Sequence, residues 1–168
     1  MSRLDSFIRR LEAQRACLDL AACLVRELDG DVLELGLGNG RTYDHLRQLS
    51  PGRKIYVCER RLATHPDCIP PAELLLLGDM RDTLRSVRER LARGIVLAHL
   101  DPATGDVAAS RGLAAELAPL IVPLLRPAAV LVSEPAIPWD GLCPMALPEG
   151  VSPGRYHLYR RVSCRFSA

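Results

Sequence analysis

The chain has 168 residues, 48% of them hydrophobic and 25% charged, and its formal net charge is +2 at neutral pH. This length suits one domain that buries a substantial core without disulfides or metals to hold it together. The basic residues alternate with acids and no run of about 20 apolar residues occurs, so neither a nucleic-acid-binding face nor a membrane-spanning helix is indicated.

A long helix is predicted over residues 3–28. Ser2 and Asp5 resemble a helix-capping pair, apolar residues follow at close to helical spacing, and Asp29 with Gly30 supplies a stop signal. Because the apolar side chains cover a broad part of this helix, we expect one side to pack on the domain. The other side is expected to contact a second copy of the chain, giving a homo-oligomer.

The next segment, residues 31–40, reads Asp-Val-Leu-Glu-Leu-Gly-Leu-Gly-Asn-Gly and is the most informative part of the chain. Its apolar run fits a buried strand. Gly36, Gly38 and Gly40 fit a tight turn into a helix, with a backbone that approaches a ligand closely. A dinucleotide-binding turn has its third glycine three residues after the second, and that position here is Arg41. The spacing therefore argues against a nicotinamide-dependent enzyme.

Strand and helix patterns alternate along the rest of the chain. Strands are predicted at 32–37, 54–59, 73–77, 95–100 and 128–134, and helices at 42–49, 81–92 and 107–125, with an irregular link at 60–72. This alternation predicts an α/β fold in which a parallel sheet is covered by helices on both faces.

The C-terminal part has a different pattern. Residues 135–154 contain five prolines and predict loops, with a short strand at 145–147. Residues 156–163 alternate in the manner of a final strand. Within one domain, we divide the chain into an N-terminal helical segment (1–29), a ligand-binding core (30–134) and a C-terminal loop with the last strand (135–168).

Polar side chains follow three of the predicted strands, at the edge where doubly wound sheets bind their ligands. Glu59 ends the second strand, and Asp79 with Met80 follows the third. His99 and Asp101 lie at the end of the fourth. The sequence therefore predicts one ligand site that these residues share with the glycine turn.

The order of these features resembles that of class I S-adenosylmethionine-dependent methyltransferases. The E-x-G-x-G-x-G form at residues 34–40 is similar to their nucleotide-binding loop, and residues 124–132 resemble their approach to the fifth strand. The resemblance covers about residues 30–134. It implies a doubly wound, mostly parallel sheet with an antiparallel last strand, and methyl transfer from S-adenosyl-L-methionine with S-adenosyl-L-homocysteine as product.

The resemblance also implies a role for each matching residue. Glu59 would accept the ribose hydroxyls, Asp79 the adenine amine, and Met80 would lie on the adenine ring. The glycine turn would line the methionine and ribose part of the cofactor. The implied cofactor-binding set is Glu34, Gly36, Gly38, Asn39, Gly40, Glu59, Gly78, Asp79 and Met80.

Two residues keep alternative interpretations. Glu34 lies inside an apolar strand and needs a polar partner, so it either holds the loop or faces the amino group of the cofactor. His99 is either a buried structural histidine or, with Asp101, a general base for an acceptor of high pKa. Asp101-Pro102 lacks the second proline and the aromatic residue that mark amino-methylating enzymes, and Asp101 with Asp106 is too common a pair to indicate a metal.

Six cysteines occur without a Cys-x-x-Cys pair or neighbouring histidines, at Cys17, Cys23, Cys58, Cys68, Cys143 and Cys164. This spacing argues against zinc, and no metal site is predicted. The N-terminal segment is charged and lacks an apolar signal region. We therefore expect free thiols and a cytoplasmic location.

The acceptor of the methyl group has no signature in the sequence. A small molecule covered by the N-terminal helix is expected, because the chain shows no separate substrate domain; a protein acceptor stays open. The main alternative is a noncatalytic S-adenosylmethionine-binding or assembly protein of the same fold, since the helix usual after the fifth strand is missing from the pattern. A nicotinamide-dependent oxidoreductase is the third interpretation.

Overall fold

The computed structural model describes residues 2–92, 94–102 and 106–162. Its centre is a seven-stranded sheet in the order β3-β2-β1-β4-β5-β7-β6. The strands are β1 (Asp31–Leu35), β2 (Ile55–Glu59), β3 (Leu75–Leu77), β4 (Ile95–Leu100), β5 (Leu125–Ser133), β6 (Leu142–Pro144) and β7 (His157–Arg161). The first five pair in parallel, and β7 runs antiparallel to both β5 and β6. The predicted doubly wound sheet with an antiparallel last strand is confirmed.

Helices cover both faces of the sheet. They are α1 (Arg3–Leu24), α2 (Arg41–Leu49), α3 (Met80–Ser86), α4 (Arg88–Leu91) and α5 (Val107–Ile121), with short 3-10 turns at Pro66–Cys68 and Val122–Leu124. Buried residues of α1 and α2 form one apolar cluster with the sheet, and those of α3, α4 and α5 form the other. Every residue of β4 is buried, which explains its continuous apolar sequence.

Helix α1 ends four residues earlier than the predicted residue 28. Its cap is the expected one, with reciprocal hydrogen bonds between Ser2 and Asp5. Past its end, the Arg53 guanidinium donates to the carbonyls of Val25, Arg26, Leu28 and Gly30 at 2.5–3.1 Å. These bonds satisfy carbonyls that follow the helix and thereby hold the turn of the chain toward β1.

Two other predicted elements differ from the structure, one in its continuity and one in its position. The helix at 81–92 is divided at Val87 into α3 and α4, and the Ser86 hydroxyl donates to the carbonyl of Thr83 at 2.8 Å, a side-chain bond that competes with the helix. The short strand expected at 145–147 lies at Leu142–Pro144, where the Gly141 turn brings it beside the end of β7. No helix occurs in the described segment 134–141 after β5, as expected.

Residues Val107–Leu124 form one helical stretch that is long and apolar enough to cross a membrane by length and composition. In the folded chain its buried residues, among them Ala114, Leu117 and Ile121, belong to the apolar cluster under the sheet. Such a helix is also typical of a protein core.

The five cysteines within the described ranges are free thiols, and Cys164, with the last predicted strand residue Ser163, lies outside those ranges.

Candidate functional site

The turn between β1 and α2 holds its glycines in conformations that favour glycine. The φ angle is 99° at Gly36 and 88° at Gly40. A Cβ atom on Gly36 would lie 2.5 Å from the carbonyl oxygen of Asp101, and one on Gly40 would lie 2.3 Å from Cβ of Cys68. A side chain at either position would therefore push the turn away from the end of β4 or from the segment that packs over it.

Glu59 ends β2, and its carboxylate accepts four backbone hydrogen bonds. Oε2 accepts from the N–H groups of Leu37 and Gly38 at 2.8 and 3.0 Å, and Oε1 from those of Arg60 and Arg61 at 2.7 and 3.3 Å. Partial burial, the largest single influence, raises the pKa of this carboxyl. The four donors together outweigh it, so the pKa lies below its ordinary value. Glu59 is thus a fixed anion that also holds the glycine turn.

Asp79 caps the N-terminus of α3 and contacts two arginines. Its Oδ1 accepts from the backbone N–H of Arg81 at 2.9 Å, while guanidinium nitrogens of Arg81 and Arg60 lie 3.1 and 3.8 Å from Oδ2. The backbone bond is the largest influence on its pKa, which is lowered. Met80 begins α3 beside it, and Gly78, with φ 143°, donates its N–H to the end of β2 at 2.9 Å.

An open cavity of about 630 Å³ at the carboxyl edge of the sheet brings most of the predicted residues together. The predicted residues in its lining are Gly36, Gly38, Asn39, Glu59, Asp79, Met80 and Asp101. Helix α1 closes one side with Phe7, Arg10, Leu11 and Gln14. The volume falls within the roughly 300–1,000 Å³ that cofactor and small-molecule sites occupy. The predicted residues outside the lining are Glu34, Gly40, Gly78 and His99.

Glu34 and His99 form a fully buried pair between β1 and β4. Glu34 Oε2 lies 2.9 Å from Nδ1 of His99, and its Oε1 accepts a short hydrogen bond from the hydroxyl of Thr42 at the start of α2. Burial, the largest influence on the His99 pKa, lowers it, but the carboxylate of Glu34 and, to a lesser extent, that of Asp101 together outweigh burial, so the pKa is raised. Of the two interpretations of Glu34, this geometry fits the one in which it holds the loop.

The structure does not bring His99 to the cavity. Its side chain is fully buried, and its second ring nitrogen lies 3.5 Å from the side-chain nitrogen of Gln14. A base must reach the proton that it removes, either directly or through one water. Of the two interpretations of His99, this burial fits the structural histidine.

Asp101, just after β4, is held by side chains from distant parts of the chain. Its Oδ2 accepts hydrogen bonds from Arg10 at 2.6 Å, Gln14 at 2.8 Å and the hydroxyl of Tyr156 at 3.1 Å. Its Oδ1 is buried and has no hydrogen-bond partner among the described residues. A buried carboxylate oxygen without a donor is costly unless a ligand supplies one.

Sequence reasoning missed Arg10, Gln14 and Tyr156. One signal was available: Arg10 and Gln14 are four residues apart and share one side of α1, and Gln14 is buried beside the apolar Ala13 and Cys17. A polar residue on the packed side of a helix needs a partner. Nothing in the local sequence identifies that partner as Asp101.

Comparison with known proteins gives two strong matches. The family model described as S-adenosyl-L-methionine methyltransferase matches residues 1–161 of the chain. The crystal structure of an S-adenosyl-L-methionine methyl transferase from Silicibacter pomeroyi DSS-3 is 45% identical in sequence, with a TM-score of 0.91. That match covers 96% of this chain and 99% of the other. No curated protein matches the chain significantly.

More distant structures share the fold. A release factor-specific protein-(glutamine-N5) methyltransferase from Alicyclobacillus acidocaldarius is 14% identical with a TM-score of 0.54, over 90% of this chain and 93% of its own. The antibiotic-resistance methyltransferase Kmr is 14% identical with a TM-score of 0.52, over 89% and 93%. At this identity the likeness concerns the fold alone.

Proposed function

Because the chain belongs to the family of S-adenosyl-L-methionine methyltransferases, we propose that it methylates a small molecule bound between α1 and the carboxyl ends of the strands. The protein is an S-adenosyl-L-methionine-dependent methyltransferase, and S-adenosyl-L-homocysteine is its second product. Neither the noncatalytic alternative nor the oxidoreductase alternative has support from the family match. Beyond this, we propose which class of molecule accepts the methyl group and which residues bind the acceptor and the cofactor.

The observation that carries the cofactor assignment is the single cavity in which the glycine turn, Glu59, Asp79 and Met80 meet. Glu59 suits the ribose hydroxyls because its carboxylate is already ionised and fixed by four backbone donors. Asp79 and Met80 suit the adenine amine and ring. Bound cofactor supplies a methyl group on a positively charged sulfonium, an activated leaving group, so the chain's main task is alignment.

Asp101 fits the methionine end of the same cofactor. Asp101 lines the cavity, and its backbone carbonyl lies beside Gly36. The α-ammonium of the methionine part would supply the donor that its buried Oδ1 lacks among the described residues. Arg10 and Gln14 hold the other carboxylate oxygen in place. We assign His99 to positioning β1 and β4 through Glu34, and Gly40 and Gly78 to shaping the turns, since none of these lines the cavity.

The small-molecule acceptor is supported by the way α1 covers the site. Phe7, Arg10, Leu11 and Gln14 lie over the strand ends and leave a cleft of limited volume. A macromolecule would need an open surface around the methyl group. Helix α1 therefore has the role of a cover over the cofactor and its acceptor.

We also propose that the chain forms a homo-oligomer through α1. Leu4, Phe7 and Ile8 are 66%, 45% and 44% exposed, and their spacing places them on one side of the helix. Light scattering is expected to give a multimer that Leu4→Glu with Ile8→Glu dissociates. A monomer mass for the wild-type protein would overturn the proposed homo-oligomer.

The five free thiols support a reducing compartment, and we propose the cytoplasm. Cell fractionation checks the location: recovery of the protein outside the cytoplasm would contradict it.

The acceptor class is tested with S-adenosyl-L-methionine labelled in its methyl group. The protein is incubated with a cell extract separated into small-molecule, protein and nucleic-acid fractions. Label is expected in the small-molecule fraction, and label confined to either macromolecular fraction overturns the proposal. Glu59→Ala is expected to slow the transfer about 10- to 150-fold at limiting cofactor, whereas Glu73→Ala, at an exposed position outside the cavity, is the matched control.

A further inference from the structure

A second cavity, of about 390 Å³, lies beside the cofactor cavity, and the two share Arg10 and Asp101 as lining residues. It is bounded by the N-terminal part of α5, by the segment after β5 and by the start of β7. Its polar lining consists of Arg10, Asp101, Asp106, Ser110, Arg111, Glu134 and His157. A molecule in this cavity would therefore lie against Asp101, where the methionine end of the cofactor is proposed to bind.

Two charged side chains of opposite sign in this cavity have neither a salt bridge nor a side-chain hydrogen bond among the described residues. The guanidinium of Arg111 has no carboxylate within ion-pair distance among the described residues, and the carboxylate of Glu134 accepts no hydrogen bond from them. Asp101, by contrast, already accepts three hydrogen bonds. A cation and an anion that lack such bonds in one small cavity fit a ligand that carries an anionic group and a proton donor.

We propose that this second cavity binds the methyl acceptor, and that the acceptor is a small carboxylate-bearing molecule with an N–H or O–H nucleophile. This inference rests on the proposed function and specifies its substrate class. Arg111 would bind the carboxylate, for which a planar guanidinium is a geometric match. One unpaired guanidinium among three carboxylates suits a singly charged carboxylate better than a doubly charged phosphate.

Glu134 would accept the proton of the nucleophile. The lone pair of the nitrogen or oxygen forms a bond to the methyl carbon while the carbon–sulfur bond breaks and its electron pair stays on sulfur. The proton of the N–H or O–H group passes to the Glu134 carboxylate and from there to solvent. In the net reaction, the acceptor gains one methyl group and one proton is released to solvent.

The charges around Glu134 suit a proton acceptor. Burial, first, and the negative charge of Asp101, second, raise its pKa, and Arg10 opposes them. A carboxylate with a raised pKa takes up a proton more readily than an ordinary one. The other ionisable groups in the lining are Asp106 at the N-cap of α5, Arg111 from α5 and His157 from β7. Burial and then Arg111 lower the pKa of His157, so it is neutral at pH 7.

The test uses the labelled small-molecule product of the extract experiment. The product is expected to bind an anion-exchange resin and to lose this binding after esterification in acidic methanol, which a phosphate would not. Arg111→Gln is expected to slow labelling about tenfold at limiting extract, the loss of one charged hydrogen-bond pair. Arg88→Gln, an exposed arginine outside both cavities, is the matched control.

A second variant tests the proton acceptor. Glu134→Gln is expected to lower the labelling rate about 100-fold and to remove the rise of the rate with pH, and it should also alter the pH dependence of unfolding without cofactor.

Label in a macromolecular fraction overturns the proposed function. Labelled small product that the resin does not bind, or full rates in Arg111→Gln, overturn only this inference, and an unchanged pH profile in Glu134→Gln overturns the role of Glu134.

Discussion

Glu59 and Glu134 stand at the carboxyl ends of β2 and β5, on opposite halves of the sheet, and their surroundings are opposite. Glu59 accepts four backbone hydrogen bonds, and its pKa is lowered. Glu134 accepts none from the described residues, and its pKa is raised. The cofactor half of the site is therefore pre-organised by the backbone, whereas the proposed acceptor half keeps a carboxylate for a ligand to satisfy.

This difference reflects what each half has to bind. A cofactor is the same in every turnover, so its anion can be fixed in advance by the turn that holds it. A group that takes a proton must change charge during the reaction, and strong hydrogen bonds to its ionised form would oppose that change. Substitutions at the two acids, and at the buried pair on the strands between them, test whether the two halves of the site differ in this way.

The largest effect is expected at the buried pair between the two halves. His99→Ala leaves the Glu34 carboxylate buried with Thr42 as its one side-chain donor among the described residues. Removal of one partner of such a pair costs about 3–5 kcal/mol of the free energy of unfolding, to be measured by urea denaturation. His45→Ala, which breaks a partly exposed pair with Asp19, should cost less than about 1 kcal/mol.

A double variant checks the cause of this loss. Glu34→Leu with His99→Leu removes both charges and should be more stable than His99→Ala alone, since apolar replacements of a buried pair are often tolerated. If the double variant is less stable than the single one, the pair is not the element that holds β1 against β4.

The next effect separates the two acids by cofactor affinity. Loss of charged hydrogen bonds worth about 1.5–3 kcal/mol predicts that Glu59→Ala binds S-adenosyl-L-methionine about 10- to 150-fold more weakly. Glu134→Ala should leave the affinity unchanged, because Glu134 does not line the cofactor cavity. Calorimetric titration measures both. Equal losses in the two variants would mean that the cofactor spans both cavities.

The contrast between the cofactor half and the acceptor half also explains which features of the molecule the sequence could predict. The glycine turn, Glu59, Asp79, Met80 and Asp101 were all placed at one edge, because each follows a strand and parallel strands end together. The predicted fold class was confirmed for a similar reason, because each strand or helix pattern is set by residues close together in the sequence. These features depend on neighbours within a few residues along the chain.

The boundary between the two halves, at Asp101, depends on contacts between distant segments. Arg10 and Gln14 reach Asp101 across 91 and 87 residues, and Tyr156 reaches it across 55. Glu134 ended a predicted strand, as Glu59 did, but nothing local showed which side chains surround it. The burial of His99 was one of its two interpretations, but a strand covered on both faces has no alternating pattern that could decide between them.

A smaller effect is expected on the stability of the cofactor-free protein when Glu59 loses its charge. The pKa of Glu59 is lower in the folded chain than the ordinary value of about 4.3, so its stabilisation is present above that value and is lost as the pH falls through the folded pKa. Glu59→Gln should therefore cost about 1 kcal/mol at pH 7, a low value because the side chain is partly exposed. Urea denaturation across pH should show the difference closing below about pH 4.

The smallest effect has the opposite sign. The pKa of Glu134 is higher in the folded chain than in the unfolded one, so its ionisation costs stability as the pH rises from the unfolded value through the folded one. Glu134→Gln should therefore make the protein more stable at pH 7, by less than about 1 kcal/mol, with no difference below about pH 4. A less stable variant at pH 7 would show that the Glu134 carboxylate is held by donors, as Glu59 is. A gain in stability together with a loss of methyl transfer would identify Glu134 as a residue kept for its chemistry at a cost to the fold.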